Sequence, residues 1–286
     1  MVFERLQDFP AAFLFCSGLE INIYPGESYS NIFRSIIDPM NNTGMLISPG
    51  REKGEPELPA TGLLLINPAE ADAGLRLAQK KGGRQHFLYN SRLALIPAVP
   101  PAEPFFLAGP TVGAPMAVLA LEKLVALGAR RMIVYGWCGS LNETLGIGDV
   151  MLPTWAISAE GTSAHYPLKA RPESHASTRQ HLIEGLTAQG LTVRAGPVWT
   201  TDAPYRESVA QVRQLGKEGV LGVDMEFSAL VAAAAFRGIQ LTAVLLVSDE
   251  LWSGAWNPGF RDKGFKKKST AILHFLADFC SGLSVS

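Results

Sequence analysis

The stretch that most constrains the fold covers residues 222–250, GVDMEFSALVAAAAFRGIQLTAVLLVSDE. Its pattern predicts a short strand ending near Asp224, a helix over 226–237 that is apolar on nearly every face, and a buried strand over 241–247. Gly238 follows the helix, where a left-handed C-cap residue is expected. The run LTAVLLV shows no polar alternation, which is typical of a central parallel strand covered on both faces. The stretch therefore predicts a buried helix and strand of an α/β protein.

Acidic residues lie at the ends of this apolar unit. Glu226 begins the helix, and Asp249 and Glu250 follow the strand. In open α/β sheets, ligands bind at the carboxyl ends of the strands, so two carboxylates held there by rigid elements indicate a site. A purely structural role also explains these acids. The helix macrodipole favours an acid in the first turn of a helix, and Ser-Asp after a strand is an ordinary helix cap.

Strand and helix patterns alternate along the rest of the chain, without a break in composition and without an internal repeat. Strands are predicted over residues 62–67, 86–90, 92–98, 105–108, 131–135, 150–152 and 192–199. The main helices are predicted to end near residue 80 and to cover 115–128, 175–190 and 264–283, and a loop is expected from residue 136 to 149. This alternation favours one α/β domain.

Charge and cysteine content exclude several classes of protein. The formal net charge is −1, so no long-range field favours nucleic acid or an anionic membrane. The three cysteines are widely spaced and form no CxxC pair, which fits a reducing compartment. The apolar run near the start is short and preceded by Glu4 and Asp8, so we expect no signal peptide, and no apolar stretch is long enough to span a bilayer. We therefore expect a cytoplasmic protein.

Five short motifs together resemble one known superfamily. They are TVGAP at 111–115, YGWCGSLNETLGIGDVMLP at 135–153, TTDAPY at 200–205, VDMEFSAL at 223–230 and VSD at 247–249. In order and approximate spacing they are similar to the nucleoside phosphorylase and nucleosidase superfamily, which includes purine and uridine phosphorylases and methylthioadenosine nucleosidase. The resemblance covers roughly residues 62–283.

The resemblance implies a fold and an activity. The expected fold is a single α/β domain over residues 1–286, with a mixed central β-sheet flanked by helices and a divergent N-terminal segment over 1–60. The expected molecule is a homo-oligomer with active sites near subunit interfaces, which cleaves the bond between ribose and base of a purine-type nucleoside. We expect neither a cofactor nor a metal.

The resemblance also assigns roles to individual residues. Asp249 matches the acid that protonates purine N7 and so makes the base a better leaving group. Arg261 lies about where purine enzymes carry an arginine that reinforces this acid. Glu226 matches the carboxylate that accepts hydrogen bonds from the ribose hydroxyls, and Met225 is expected to pack against the sugar. Asp224 stands where the family usually has a glutamate.

The positions that hold phosphate in the family's phosphorylases differ in this chain. The replacements are Ile66 for glycine, Glu70 for arginine, Val134 for a second arginine and Trp137 for serine or threonine. Arg92 and Gly136 stay as candidate phosphate ligands. A dianion needs paired cations, which these residues do not supply. The sequence therefore predicts a degraded phosphate site and leaves phosphorolysis and hydrolysis both open.

The base site and the nucleophile leave further alternatives open. Pro204 replaces the aromatic residue that precedes Tyr205, so stacking on the base is expected from Tyr205, Trp137 or Trp199, each of which could instead pack in the core. A nucleoside-binding protein that has lost the chemistry is a second hypothesis. A third is a hydrolase with Cys138 as nucleophile, because GWCGS is similar to a G-x-C-x-G elbow.

Overall fold

The computed structural model describes residues 15–16, 19–20, 45–88 and 91–283. The chain divides into two units, Met1–Met45 and Leu46–Ser286. In the first unit, β1 (Phe15–Cys16) and β2 (Leu19–Glu20) form an antiparallel pair. Most of the predicted N-terminal segment 1–60 lies outside the described residues, so its place in one domain with the rest stays a prediction.

The second unit is built on a mixed sheet. Its strands are β3 (Thr61–Leu65), β4 (Arg84–Leu88), β5 (Ser91–Ile96), β6 (Phe105–Gly109), β7 (Arg131–Ser140), β8 (Val150–Ala159), β9 (Val193–Thr201), β10 (Gly222–Asp224), β11 (Gln240–Glu250) and β12 (Asn257–Pro258). Within the described residues their spatial order is β12-β11-β8-β9-β10-β7-β3-β6-β5-β4. Because β11 also pairs in parallel with β7, the strands β7, β11, β8, β9 and β10 close into a ring.

Helices cover both faces of the sheet. They are α1 (Pro68–Lys80), α2 (Ala114–Leu127), α3 (Ala176–Ala188), α4 (Val209–Lys217), α5 (Phe227–Phe236) and α6 (Lys263–Gly282). One apolar layer contains buried residues of α2 and α5, and the other contains those of α1, α3 and α6. Among the described residues, no helix combines the length and the apolarity that a membrane crossing requires. The mixed α/β fold expected from the sequence is confirmed.

The central stretch folds much as its pattern predicts. Helix α5 begins one residue after the predicted start, with Glu226 as its N-cap, and ends one residue before the predicted end. Strand β11 is covered on both faces, because Leu245 packs into the α2–α5 layer and Leu246 into the opposite layer. Periodicity was sufficient here because the apolar residues are continuous in sequence.

Strands β7, β8 and β11 continue furthest past their predicted ends. Strand β11 continues through Ser248, Asp249 and Glu250, which were expected beyond its end, and β8 continues to Ala159. Strand β7 includes residues 136–140, so the prediction that the loop begins at residue 136 is wrong. Strands β7 and β11 are long because they pair in parallel with each other, and this pairing continues past a register shift between Val247 and Asp249. Strand β8 is long because its second half pairs with β9.

Candidate active site

Three neighbouring strands bring the predicted acids to one edge of the sheet. In the observed register, Gly139 of β7 lies opposite Val223 of β10 and also opposite Asp249 of β11. Since neighbouring strands are ~4.8 Å apart, Val223 and Asp249 are separated by roughly 10 Å with the glycine between them. Asp224 follows Val223 directly, and Glu226 comes two residues later. A carbon atom attached at Gly139 would lie 3.1 Å from Asp249 Oδ2. Because glycine has no side chain, this close contact with the carboxyl group is avoided.

Asp224 and Glu226 form a buried acidic pair at the start of α5. Asp224 accepts hydrogen bonds from Thr200 Oγ1 at 2.6 Å, from the backbone N–H of Phe227 at 2.7 Å and from that of Glu226 at 3.3 Å. Asp224 thereby accepts hydrogen bonds from backbone N–H groups at the N-terminus of the helix, which have no partner within the helix itself. Glu226 accepts a hydrogen bond of 2.6 Å from the backbone N–H of Gly113, the N-cap of α2. Two helix starts therefore converge on this pair.

Burial decides the charge of the pair. Burial raises the pKa of Glu226, and the neighbouring charge of Asp224 raises it further. Burial also raises the pKa of Asp224, but the hydroxyl of Thr200 and two backbone N–H groups oppose this shift. Because Asp224 has these donors, we assign the negative charge to Asp224 and the proton to Glu226 in the protein without substrate.

Both carboxyl oxygens of Asp249 have donors. Ser248 Oγ donates to Oδ1 at 2.6 Å, and Trp256 Nε1 donates to Oδ2 at 3.0 Å. Burial and the charge of Asp249 raise the pKa of Glu207 to about 7, so a second carboxyl group faces this acid. Trp256 and Glu207 were not predicted from the sequence, because loops bring both residues near Asp249 and no local pattern encodes the paths of these loops.

Glu160 is a further buried acid that the sequence analysis missed. It accepts hydrogen bonds of 2.8 Å from the hydroxyls of Ser158 and Ser228, and its carboxylate also accepts backbone N–H groups of Thr162 and Ser163. Burial opposes its charge, but the donors from Ser163, Ser228 and Ser158 hold the pKa of Glu160 below its usual range. Ser228 also donates its backbone N–H to Thr200 Oγ1. Glu160 therefore holds Ser228, which in turn holds Thr200, the residue that donates to Asp224.

Apolar and acidic side chains fill the region of the expected phosphate loops. A carbon atom attached at Gly136 would lie 3.1 Å from Ile66 Cγ1, so Ile66 packs against the glycine proposed to bind phosphate. The ring of Trp137 packs edge-on against Phe265, with centroids 5.1 Å apart. Glu70 is only 6% exposed and accepts a hydrogen bond from Ser269 Oγ at 2.5 Å. The described side chains at these replaced positions, Ile66, Glu70 and Trp137, supply no cation.

Several buried polar atoms of this region have no hydrogen-bond partner. Among the described residues these atoms are Asn67 Oδ1, Glu70 Oε2, Thr111 Oγ1 and Trp137 Nε1. Asn67 and Glu70 lie at the start of α1, and the backbone N–H of Thr111 donates to the carbonyl of Ile66, the residue before Asn67. Buried polar groups without partners are uncommon, and they concentrate where a structure has a task other than stability.

The two predicted arginines contact other groups. Arg92 forms an ion pair with Asp72 of α1, and both side chains are about half exposed. The guanidinium of Arg261 lies 5.9 Å from the ring centroid of Phe260. The described donors to Asp249 are Ser248 and Trp256 rather than Arg261. The functional roles of both arginines stay predictions.

The predicted base-binding and sugar-binding residues differ in exposure. Tyr205 is fully exposed, whereas Trp199 is buried in an apolar cluster with Val212 and Val223. Trp137 is partly buried among aromatic rings in the apolar layer that contains α1, α3 and α6. Met225 is partly buried beside the acidic pair. Of the three aromatic candidates, Trp199 has a packing role, and stacking by Tyr205 or Trp137 stays a prediction.

The structure disfavours a thiol nucleophile. Cys138 is 3% exposed, and burial, with the nearby charges of Asp224 and Asp249, raises the pKa of its thiol well above the ordinary value. Since the thiolate is the nucleophile, a thiol held protonated is unsuited to attack. Within residues 45–88 and 91–283, no group of three or more His, Cys, Asp or Glu side chains is arranged to hold a metal ion.

Known proteins share this arrangement of strands. Residues 68–276 match the family model of the phosphorylase superfamily. A DeoD-type purine nucleoside phosphorylase of Bacillus thuringiensis (strain Al Hakam) is 32% identical over 149 residues, which make up 51% of this chain and 63% of that protein. This chain thus matches less than two thirds of the length of that relative.

Two solved structures have the same fold. The purine nucleoside phosphorylase of Toxoplasma gondii, in complex with immucillin-H, has a TM-score of 0.69 at 20% identity, covering 83% of this chain and 96% of that one. A uridine phosphorylase of Vibrio fischeri ES114 has a TM-score of 0.67 at 20% identity, covering 83% and 97%. The family model matches residues 68–276, well more than half of this chain, and the chain therefore belongs to the phosphorylase superfamily.

Proposed function

We propose that this protein cleaves the N-glycosidic bond of a purine-type nucleoside. The observation that carries the proposal is the register at Gly139, which sets Asp249 on one side and the Asp224–Glu226 pair on the other. A nucleoside offers a base at one end and sugar hydroxyls at the other, so a site needs polar groups at both ends of a short span. The membership of the chain in the phosphorylase superfamily supports this chemistry.

Asp249 acts at the base. Breaking the glycosidic bond leaves negative charge on the base, and a proton donated to purine N7 neutralises it. The carboxyl group lies at a strand end, and its orientation is fixed by donors to both oxygens. A group oriented in this way loses little entropy when it engages the leaving group.

Glu226 acts at the sugar. Positive charge develops on the ribose in the transition state, and hydroxyls bonded to a carboxylate stabilise it. The N-terminus of α2, whose Gly113 N–H contacts Glu226, favours the charged form when those hydroxyls bind. Met225 packs against the sugar from the adjoining position.

Water attacks the sugar in this proposal. Ile66 and Trp137 occupy volume that a phosphate would need, and the buried Glu70 would repel a dianion. One oxygen of Glu70 accepts a hydrogen bond from Ser269, and the other has no partner among the described residues. Hydrolysis therefore fits these residues better than phosphorolysis.

Phosphorolysis is the second candidate. The start of α2, with the unpartnered hydroxyl of Thr111 close to it, is the kind of site that binds anions. The similar protein of Bacillus thuringiensis is named as a phosphorylase. Phosphate would then have to bind without the paired arginines.

We further propose that the protein is a cytoplasmic homo-oligomer whose small-molecule partner is the nucleoside. The ring of Tyr205 is fully exposed, and a second subunit would bury it. Sedimentation analysis tests this part, and a monomer at micromolar concentration would contradict it.

Base release from a panel of purine and pyrimidine nucleosides tests the proposed activity. The protein is incubated with each nucleoside, with and without phosphate, and the free base is measured by chromatography. We expect release from purine nucleosides that is lost with Asp249→Asn. A protein that binds nucleosides and releases no base under either condition would refute the enzymatic proposal and leave a binding protein.

A further inference from the structure

A tryptophan outside the five sequence motifs contacts the proposed acid. Trp256 Nε1 donates to Asp249 Oδ2 at 3.0 Å, although 64% of the residue's surface is exposed. An exposed indole has water available as an alternative acceptor, so its placement on this carboxylate needs a structural cause.

The pairing of β12 with β11 supplies that cause. Asp249 pairs with Pro258, and Glu250 with Asn257, so the chain returns alongside β11 and places Trp256 next to the acid. The backbone N–H of Gly259 donates to the carbonyl of Ser248 at 2.8 Å and closes this return. The side chain of Asn257 adds a hydrogen bond of 3.0 Å to Glu250 Oε2.

Aromatic packing supports the ring from behind. The rings of Trp256 and Phe260 have centroids 6.3 Å apart, and Phe260 stacks on Trp137 at 6.1 Å. Trp137 in turn meets Phe265 of α6. A row of rings therefore connects the indole to the core, which limits the positions its N–H can take.

We infer that Trp256 is the positioning residue of the acid Asp249, holding the carboxyl plane through its indole N–H. This inference rests on the proposed function, in which Asp249 protonates the base. With Ser248 Oγ on the other oxygen, the two donors fix both ends of the carboxyl group.

The chemistry of indole suits this role. An indole N–H only donates, so it cannot remove the proton that Asp249 must deliver to the base. It is also uncharged, so its hydrogen bond to a carboxylate is weaker than that of a guanidinium. Among the described residues, Glu207 and Cys138 are close enough to Asp249 for its charge to raise their pKa values, and neither carries a positive charge.

Indole N–H resonances test the contact without substrate. The chain has five tryptophans, and Trp256→Phe assigns the Trp256 signal by its loss from the proton–nitrogen spectrum. We expect this signal to move upfield in Asp249→Ala, because the hydrogen bond to a carboxylate is removed, while the signals of distant tryptophans stay in place.

Kinetics test the role. Trp256→Phe keeps an aromatic ring and loses the donor, so we expect kcat to fall about tenfold with little change in KM. The pH profile of kcat should also move to higher pH, because the charged carboxylate has lost a donor. Trp252→Phe makes the same change in the same loop and should leave both kcat and its pH profile unchanged.

The outcomes separate this inference from the proposed function. An indole signal that does not respond to Asp249→Ala, or a Trp256→Phe enzyme whose pH profile matches that of Trp252→Phe, overturns the inference alone. If Asp249→Asn releases base at the rate of the wild type, the assignment of the acid fails and the inference fails with it.

Discussion

At the scale of single residues, the buried Asp224–Glu226 pair controls how the site responds to pH. Burial and the charge of Asp224 raise the pKa of Glu226 to about 8. A carboxyl group whose pKa is higher in the folded than in the unfolded protein stabilises the fold fully at a pH below its unfolded-state pKa. That contribution is lost as the pH rises through its folded-state pKa. The protein without substrate should therefore become less stable between about pH 5 and about pH 8 because of this residue.

Glu226→Gln tests this dependence. Glutamine keeps the shape and cannot ionise, so the decline of Tm with rising pH should be smaller in the variant than in the wild type. Thermal melts at intervals across this pH range measure the difference. The exposed Glu143, changed to glutamine, serves as the control. Equal slopes for Glu226→Gln and the wild type would contradict the buried, proton-bearing Glu226.

Asp249→Asn tests the acid. Asparagine can still accept the hydrogen bond from Trp256 but cannot protonate a base, so kcat on the best purine nucleoside should fall by roughly 10²–10⁴. Circular dichroism and Tm should match the wild type. Asp262→Asn is the matched control, because Asp262 is exposed and its side chain makes no capping hydrogen bond at α6. Wild-type turnover in Asp249→Asn would remove this residue from the mechanism.

At the scale of elements, strand pairing determines which residues meet. The sequence predicts helix α5 to within one residue and strand β11 in its apolar part, because both signals are local. It does not predict that Ser248 and Asp249 belong to β11, because that depends on pairing with β7 over a separation of more than a hundred residues. Trp256 lies only seven residues from Asp249 and was missed because its contact depends on the return of β12 alongside β11. Glu207 and Glu160 were missed because their interactions with Asp249 and Ser228 depend on the tertiary structure.

Gly139→Ala tests the role of the shared strand edge. The added methyl would lie 2.4 Å from Leu251 Cδ1 and 3.1 Å from Asp249 Oδ2, so the carboxyl group must shift. We expect kcat to fall about a hundredfold, since small misplacements of a catalytic group are costly. Stability should fall by only about 1–3 kcal/mol, because Leu251 can move its side chain.

Gly264→Ala is the control for that change. Nothing lies within 4 Å of the carbon atom it would add on α6, so activity should be unchanged and stability equal or slightly higher. Turnover in Gly139→Ala equal to that in Gly264→Ala would show that the space beside Asp249 is not needed.

At the scale of the whole molecule, the chain has the fold of the phosphorylase superfamily, and apolar and acidic side chains lie where the resemblance predicts phosphate loops. Ile66 packs on Gly136, Trp137 joins the aromatic row, and Glu70 is buried against Ser269. The replacements were predicted from the sequence, and the structure shows where their side chains pack: Ile66 lies in the layer of α2 and α5, and Trp137 lies in the opposite layer. The central claim is therefore that water, and not phosphate, completes the reaction.

Product analysis at zero and at saturating phosphate tests this claim most directly. Base release from the best purine nucleoside is followed while ribose and ribose 1-phosphate are assayed separately. We predict that the rate of release is nearly independent of phosphate and that one ribose appears for each base. Stoichiometric ribose 1-phosphate, with a rate that rises with phosphate until it saturates, would contradict the account.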